Sequence, residues 1–308
     1  VDGLLESRPA ALARLISWAE NRDARMDEVM RRVFPRGGTA RRVGITGPPG
    51  AGKSTAVAGM ITELRMRGKR VGVIAVDPTS PFTGGALLGD RYRMQEAAGD
   101  PGVFMRSMAS RGSLGCLSAA TGEAKYRLDA AGCDWILVET VGVGQTEFDI
   151  VEAVDTVVVL LVPESGDGIQ ALKAGLMEIA DLFVVNKADR PGADALANAL
   201  ASGLDLRPGT GAPRPEVLRA VALRGEGIPQ ILDAVLRHQD ADRGSGRAGE
   251  RQKAAIRRRL LREARAAWAD KLARFHGDSL ERWVGTVARR EATPRDAARE
   301  ILKEWEGA

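Results

Sequence analysis

Residues 47–55 read Gly47-Pro48-Pro49-Gly50-Ala51-Gly52-Lys53-Ser54-Thr55, which fits the phosphate-binding pattern G-x-x-x-x-G-K-[ST]. The stretch lies between an apolar segment typical of a strand, Arg42–Thr46, and a segment with helical spacing. Glycines in such a loop let backbone N–H groups surround phosphates, while Lys53 brings a positive charge and Ser54 offers a hydroxyl to Mg²⁺. These nine residues therefore predict a nucleotide site.

A second motif, further along the chain, predicts which base is bound. The apolar run Leu182-Phe183-Val184-Val185 leads directly into Asn186-Lys187-Ala188-Asp189, which fits the pattern N-K-x-D. A carboxylate at Asp189 can accept hydrogen bonds from N1–H and the exocyclic amine of guanine, and adenine offers no such pair. Leaving that carboxylate unsatisfied costs about 1–3 kcal/mol, so we expect guanine to be preferred. A helix cap at Asp189 is the alternative interpretation.

Short apolar runs alternate with helical stretches through the middle of the chain, and this alternation predicts an α/β fold. The predicted strands are Arg42–Thr46, Val71–Val76, Trp135–Glu139, Thr156–Val162, Leu182–Val185 and Val217–Val221. Such an order indicates a doubly wound, mostly parallel sheet with helices on both faces. We expect a helical N-terminal extension over residues 1–38, a nucleotide-binding domain over 39–239, and a linker (240–250) with a helical arm over 240–308.

Composition narrows the class of protein. The 308 residues carry a net charge of +4 and include two cysteines and two histidines, without a C-x-x-C pair. No stretch reaches the roughly 18 apolar residues of a membrane span, and no leader is apparent. We therefore expect a soluble, cytoplasmic protein that binds neither nucleic acid nor membrane. The sequence begins at Val1 rather than Met, which is consistent with missing native N-terminal residues.

Several acidic residues stand where a parallel sheet would present them to phosphates. Glu139 ends a predicted strand and Asp77 follows another, and Asp90 lies in the glycine-rich stretch beyond Asp77. With Ser54, these three carboxylates form the predicted Mg²⁺ set, and the N–H of Gly142 is predicted to reach the γ-phosphate. A strand-end cap for Asp77 and a helix N-cap for Asp90 are the alternatives.

The chain resembles the MeaB-like GTPases, the G-protein chaperones of adenosylcobalamin-dependent acyl-CoA mutases, over nearly its whole length. The matching strings are residues 43–50, Val76-Asp77-Pro78-Thr79-Ser80, Leu88-Gly89-Asp90 and Val138-Glu139-Thr140-Val141-Gly142-Val143-Gly144-Gln145. The resemblance implies that Glu139 is the Walker-B residue and that the first switch contains Asp77 and Asp90.

The same resemblance implies a coupling segment and a dimer. Residues 164–173 match the family's third mobile segment, with Asp167, Gln170 and Lys173 as the members that couple nucleotide to mutase. A helix N-terminus capped by Asp167 is the alternative. The helical tail resembles the family's dimerisation arm, so we expect a homodimer. One departure is Ala220-Val221-Ala222, where the family usually has a Ser-Ala pair. Here the N–H of Ala222 is predicted to donate to guanine O6.

The expected function is GTP hydrolysis to GDP and phosphate by a chaperone that gates adenosylcobalamin loading of a mutase. We expect slow turnover alone and stimulation by the mutase. The predicted catalytic residues are Lys53, Glu139, Gln145 and Lys173, although Gln145 stands three residues past Gly142. A metabolite kinase is the alternative, which would need an acceptor pocket but no guanine reader. A nickel-inserting GTPase is a further alternative, and the lack of His-rich tracts and C-x-x-C pairs argues against it.

Overall fold

The computed structural model describes residues 4, 9–20, 23, 25–78, 99–110, 124–140, 146–163, 175–205, 213–275 and 277–306. Contacts between residues divide the chain into two compact units, Val1–Ser245 and Gly246–Ala308. In the first unit the helices are α1 (Pro9–Glu20), α2 (Met26–Val33), α3 (Lys53–Met66), α4 (Thr146–Ala153), α5 (Leu176–Ile179), α6 (Ala193–Asp205) and α7 (Ile228–Gly244). Residues 124–130 are also helical. Short 3-10 turns occupy Phe34–Arg36 and Ala222–Arg224.

A seven-stranded sheet forms the centre of the first unit. Its strands are β1 (Arg41–Thr46), β2 (Val71–Pro78), β3 (Val103–Ser110), β4 (Trp135–Glu139), β5 (Thr156–Leu161), β6 (Leu182–Asn186) and β7 (Glu216–Ala220). The order across the sheet is β3-β2-β4-β1-β5-β6-β7, and every adjacent pair is parallel. The six predicted strands and the parallel sheet are thus confirmed.

Strand β3 was not predicted from the sequence. It pairs with β2 along its whole length, from Val71 opposite Val103 to Pro78 opposite Ser110. Its apolar residues are interrupted by Arg106 and Ser107, and it lies at the edge of the sheet. An edge strand needs fewer apolar residues than a central one, so its sequence pattern is weaker.

Alternate residues of the central strands pack into two separate cores, one on each face of the sheet. Val43 and Ile45 of β1 pack with α3 and α7 on one face. Ile136 and Val138 of β4 pack on the other face with Ile150 of α4. Helices therefore cover both faces, as a buried parallel sheet requires, and the doubly wound α/β class is confirmed.

The N-terminal helices share the second of these cores. Met26 and Met30 of α2 bring their sulfur atoms to 4.0 and 3.7 Å from Nη2 of the fully buried Arg127. Nearby, Asp129 accepts hydrogen bonds from the backbone N–H groups of Thr39 (3.2 Å) and Ala40 (3.0 Å). Because Ala40 directly precedes β1, this carboxylate fixes the point where the chain enters the sheet.

The linker predicted over residues 240–250 is shorter than expected. Helix α7 extends to Gly244 and α8 begins at Arg247, so only Ser245 and Gly246 separate them. The glycines near residue 244 suggested a longer break. Gly244 is nevertheless helical, because glycine in a helix costs only about 1 kcal/mol and long helices tolerate it.

The second unit consists of α8 (Arg247–Phe275), α9 (Gly277–Ala288) and α10 (Pro294–Glu306). Within it, the Glu304 carboxylate of α10 accepts hydrogen bonds from Ser279 and Arg282 of α9, both at 2.5 Å. Large apolar side chains remain exposed on this unit: Ile256, Leu260, Leu261, Trp268, Leu280 and Val284. In the part of the chain that the structure describes, none of the helices combines the length and apolar character that crossing a membrane requires.

Candidate functional site

The phosphate-binding loop lies at the carboxyl end of β1, between the ends of β4 and β5. Strand β1 pairs with β4 on one side and β5 on the other, so the crevice at its carboxyl end is the switch point of the sheet. Helix α3 starts at Lys53, and its first turn contains no acidic residue. The positive end of the helix dipole is therefore available to an anion at the loop.

Two glycines of the loop have backbone conformations and surroundings that exclude side chains. Gly47 has φ +136°, and a Cβ there would collide with the carbonyl oxygen of Leu160. Gly52 has φ +86°, and a Cβ there would collide with the side-chain amide of Asn186. Both positions thus require glycine for steric reasons as well as for the left-handed backbone.

Lys53 is folded against the loop that precedes it. Its Nζ donates to the carbonyl oxygens of Gly47 (2.9 Å) and Pro48 (3.0 Å), and the residue is only 7% exposed. A buried ammonium group is costly unless it is compensated. A phosphate group would compensate its charge better than neutral carbonyls can, so the position is suited to an anionic ligand.

Ser54 and Glu139 meet at the same edge of the sheet. The Ser54 hydroxyl donates to Oε1 of Glu139 at 2.6 Å, and Glu139 is 5% exposed. Among the described residues, no group of three or more His, Cys, Asp or Glu side chains is arranged to hold a metal ion. Mg²⁺, however, commonly takes one or two protein oxygens and completes its shell with water and phosphate, so this hydroxyl–carboxylate pair fits Mg²⁺.

A buried threonine pair fixes the strand ends beside this contact. Thr140 follows Glu139 directly, and its N–H donates to the carbonyl of Ile45 at 3.1 Å. Its hydroxyl donates to the hydroxyl of Thr46 at 2.9 Å, and both threonines are fully or almost fully buried. This pair was not predicted from the sequence. The available signal was a threonine at the end of each of two apolar strands, Thr46 as the last residue of β1 and Thr140 directly after β4.

Asn186 joins the phosphate loop to the loop that follows β7. Its side-chain amide donates to the carbonyl of Ala51 at 2.8 Å, and its Oδ1 accepts from the N–H of Ala222 at 3.0 Å. The N–H of Ala222, which is predicted to donate to guanine O6, donates to Asn186 in this structure, and its contact with a base stays a prediction. Asn186 is 3% exposed, so both hydrogen bonds are protected from water and worth more than surface ones.

The predicted guanine reader follows on a tight turn. Lys187 has φ +55°, a left-handed conformation that costs a non-glycine residue about 1 kcal/mol. The N–H of Ala188 donates to the carbonyl of Ala220 at 3.0 Å, and the N–H of Val221 donates to Glu226 at 2.9 Å. The first bond holds the turn after β6 against the end of β7, and the second closes the loop after β7.

Asp189 is 43% exposed as a side chain, and its Oδ2 lies 2.9 Å from Nη2 of Arg224. Arg224 was not identified from the sequence. It ends the short turn Ala222–Arg224, two residues after the last of the predicted base-contacting residues.

Several predicted site residues lie outside the described part of the chain. These are Asp90, Gly142, Gln145, Asp167, Gln170 and Lys173. Asp77 lies within β2, two residues beyond the point where Ala75 pairs with Glu139, but its side chain is also outside the described set. The structure thus brings together Lys53, Ser54, Glu139 and the Asn186–Asp189 turn around one loop.

Comparison with known proteins gives a consistent relationship. The family model of the methylmalonyl Co-A mutase-associated GTPase MeaB matches residues 12–274. A Pyrococcus abyssi protein provisionally named a GTPase is 49% identical over 298 residues, covering 96% of this chain and 92% of its own. The mitochondrial methylmalonic aciduria type A homolog of Mus musculus is 37% identical over 269 residues, covering 81% of this chain and 65% of its own.

A solved structure extends the relationship to the fold. The crystal structure of a LAO/AO transport system kinase matches with a TM-score of 0.74 and 28% identity, covering 99% of this chain and 96% of that one. One family is indicated by the family match, by the relatives, and by the phosphate loop with its attached N-K-x-D turn. The chain belongs to the MeaB family of methylmalonyl-CoA mutase-associated GTPases.

Proposed function

We propose that this protein hydrolyses GTP to GDP and phosphate as the chaperone of an adenosylcobalamin-dependent acyl-CoA mutase, gating the loading of that cofactor. The observation that carries the GTPase part is the hydrogen bond from Asn186 to the carbonyl of Ala51. It joins the base-reading turn to the phosphate loop, so a single ligand with a guanine base and phosphates would contact both.

The mutase part of the proposal rests on the family. The MeaB family is named for its association with methylmalonyl-CoA mutase, and the mouse relative is named for methylmalonic aciduria. The candidate partners are methylmalonyl-CoA, isobutyryl-CoA and hydroxyisobutyryl-CoA mutases. The proposal does not choose among them, because it assigns this chain no contact with the acyl substrate.

The chemistry assigned to this chain is positioning and charge neutralisation. Lys53 would offset charge on the β- and γ-phosphates. Ser54 and Glu139, with Asp77 and Asp90 as further candidates, would hold Mg²⁺, which supplies electrostatic stabilisation when bound. We further propose that the N–H of Gly142 contacts the γ-phosphate and that Gln145 orients water.

A homodimer formed through the second unit is also part of the proposal. Its support is the set of exposed apolar side chains on α8 and α9, which includes Leu260 at 65% and Val284 at 52% exposure. Apolar patches of this kind commonly mark protein interfaces. A cytoplasmic location remains a prediction from the sequence.

The test of the proposed function compares nucleotides and partners. Purified protein should hydrolyse GTP slowly and ATP far more slowly, and a cognate mutase should raise the GTP rate. Asp189→Asn should shift binding from guanine to xanthine nucleotides, because an amide donates where the carboxylate accepts. Equal affinity for ATP and GTP in the wild-type protein would contradict the base assignment. Phosphoryl transfer to an added metabolite, without hydrolysis, would favour the kinase alternative instead.

Coupling to the mutase is tested at the segment 164–173. We expect Lys173→Ala to leave basal GTP hydrolysis nearly unchanged and to remove the acceleration that the mutase causes. The matched control is Lys69→Ala, which changes an exposed lysine of the first unit and should remain fully stimulated. A Lys173→Ala protein that the mutase still stimulates fully would leave the coupling role without support.

A further inference from the structure

The carboxylate proposed to read guanine is held by an arginine that no sequence motif identifies. Nη2 of Arg224 lies 2.9 Å from Oδ2 of Asp189, and Nε of the same arginine lies 3.5 Å from Oε1 of Glu226. The Arg224 and Asp189 side chains are 54% and 43% exposed. An ion pair this exposed contributes about 0–1 kcal/mol to folding, so fold stability gives little reason for its presence on this carboxylate.

The backbone beneath Arg224 is fixed by local hydrogen bonds. Its own N–H donates to the carbonyl of Val221 at 2.8 Å, and the N–H of Gly225 donates to Ala222 at 3.2 Å. Gly225 has φ +74° and Gly227 has φ +83°, and a Cβ at Gly227 would collide with the carbonyl of Arg219. The Cα of Arg224 is therefore held in place, and only its side chain can move appreciably.

The same hydrogen bonds hold Asp189 in register with Arg224. Ala188 donates to the carbonyl of Ala220, and Asn186 accepts from Ala222, so the turn that carries Asp189 is attached at two points. The remaining freedom of the carboxylate lies in its own side-chain torsions, and the terminal torsion of aspartate is broad. A hydrogen bond from Arg224 to one oxygen narrows that freedom.

Guanine and Arg224 can bind the carboxylate at the same time. A carboxylate has two oxygens with about four acceptor positions. N1–H and the exocyclic amine of guanine require one position on each oxygen, which leaves a second position on Oδ2 for Arg224. Fixing an acceptor group before the ligand arrives lowers the entropic cost of binding.

We propose that Arg224 is a positioning residue that orients the Asp189 carboxylate for two-point contact with guanine, and so sharpens base selectivity. The inference deepens the proposed guanine site and rests on it. We expect Arg224 to strengthen most the hydrogen bond from the exocyclic 2-amino group of the base to Asp189. That bond is the second of the two contacts, and it depends on the orientation of the carboxylate plane.

The experiment measures dissociation constants of the full chain for GDP and IDP, the second of which lacks the 2-amino group. Arg224→Gln should lower the preference for GDP over IDP by roughly 3- to 10-fold, with GDP binding weakened more than IDP binding. Arg224→Lys retains a charge but not the planar fork, so its preference should lie between those of the wild type and Arg224→Gln.

The matched control is Arg219→Gln. Arg219 forms a comparable exposed pair, with Nη2 2.8 Å from Oδ1 of Asp194 and side-chain exposures of 53% and 84%. Its loss should leave the GDP-to-IDP preference unchanged. Circular dichroism and the urea midpoint establish that each variant is folded.

Two results would overturn the inference. An unchanged preference in Arg224→Gln would make the pair an ordinary surface contact, and tighter GDP binding in that variant would make Arg224 a competitor for the carboxylate. A failure of the proposed guanine site would be visible in the wild-type protein alone, because that protein would then bind ADP as tightly as GDP.

Discussion

Lys53 and Glu139 bring opposite charges to the phosphate-binding loop, in surroundings that exclude most water. They are 7% and 5% exposed. The lysine donates to the loop carbonyls of Gly47 and Pro48, and the carboxylate accepts from Ser54. Charges in such surroundings act more strongly than charges in water, so changes at these two residues should have large effects on phosphate chemistry.

The first prediction concerns these two charges. Lys53→Ala and Glu139→Gln should each lower the rate of GTP hydrolysis by about 100-fold or more. The first removes charge neutralisation at the phosphates, and the second removes the negative charge proposed to hold Mg²⁺. Steady-state release of phosphate from GTP measures the effect. Lys69→Ala serves as the exposed control, and a Lys53→Ala or Glu139→Gln protein with normal hydrolysis and an intact circular dichroism spectrum would contradict its assigned role.

Cys133 gives a second prediction at the residue scale. Burial raises the pKa of its thiol from 9.0 to about 12, with the charge of Arg70 opposing the shift. Above pH 9 the thiol ionises in the unfolded chain but stays neutral in the folded chain. Its contribution to folding stability is therefore complete below pH 9 and is lost as pH rises toward 12. At pH 10 the loss should be about 1 kcal/mol in the free energy of unfolding.

Urea unfolding of the wild type and of Cys133→Ala, at pH 8 and pH 10, measures this contribution. The difference in unfolding free energy between the two proteins should shrink at pH 10, because the variant has no thiol to ionise. An equal difference at both pH values would show that the folded and unfolded thiols titrate alike.

At the scale of elements, β1 approaches α4 so closely that one residue type fits between them. Gly44 lies between Val43 and Ile45, which face the opposite core. A Cβ at Gly44 would lie 2.6 Å from Cδ1 of Ile150 and 3.0 Å from Cγ2 of Val154. Ile150 is fully buried, so it cannot move away without disturbing the core.

Gly44→Ala should therefore destabilise the protein by about 1–3 kcal/mol, measured as a lower midpoint of urea unfolding. The matched control is Gly244→Ala at the end of α7, where a Cβ would meet nothing within 4 Å. That change should be neutral or slightly stabilising, because alanine favours helix over glycine. A Gly44→Ala protein as stable as the wild type would mean that α4 can move away from the sheet.

At the scale of the whole molecule, the second unit leaves large apolar side chains in solvent. On α8, Leu260, Leu261 and Trp268 are 65%, 54% and 44% exposed. The spacing of Leu260, Leu261 and Trp268 places them near one side of the helix. A second copy of the chain is the partner proposed for this surface.

We expect the full chain to sediment as a dimer at micromolar concentration, and Leu260→Glu combined with Trp268→Glu to sediment as a monomer. The charges would have to be buried in the interface at considerable cost. Met66→Glu is the control, because Met66 is 72% exposed on the first unit and its change should leave the dimer intact. A wild-type chain that sediments as a monomer would contradict the proposal.

The sequence alone determined the nucleotide loop, the guanine motif and six of the strands. Those features depend on local spacing, because glycine conformations and apolar runs act over a few residues. The sequence did not predict β3, whose edge position permits polar residues. It also predicted a linker from residue 240, where α7 continues to Gly244. The strings that resemble the MeaB family predicted the family, and the family match confirmed that prediction.

Only the tertiary structure decided which groups in the site bind one another. The N–H of Ala222 donates to Asn186, which the sequence did not predict. Asp189 pairs with Arg224, a contact that no sequence motif indicated. Both contacts depend on the register of β6 against β7, where Asn186 lies opposite Ala220. Residues distant in sequence meet there because two strands align, and no local pattern in either segment specifies that alignment.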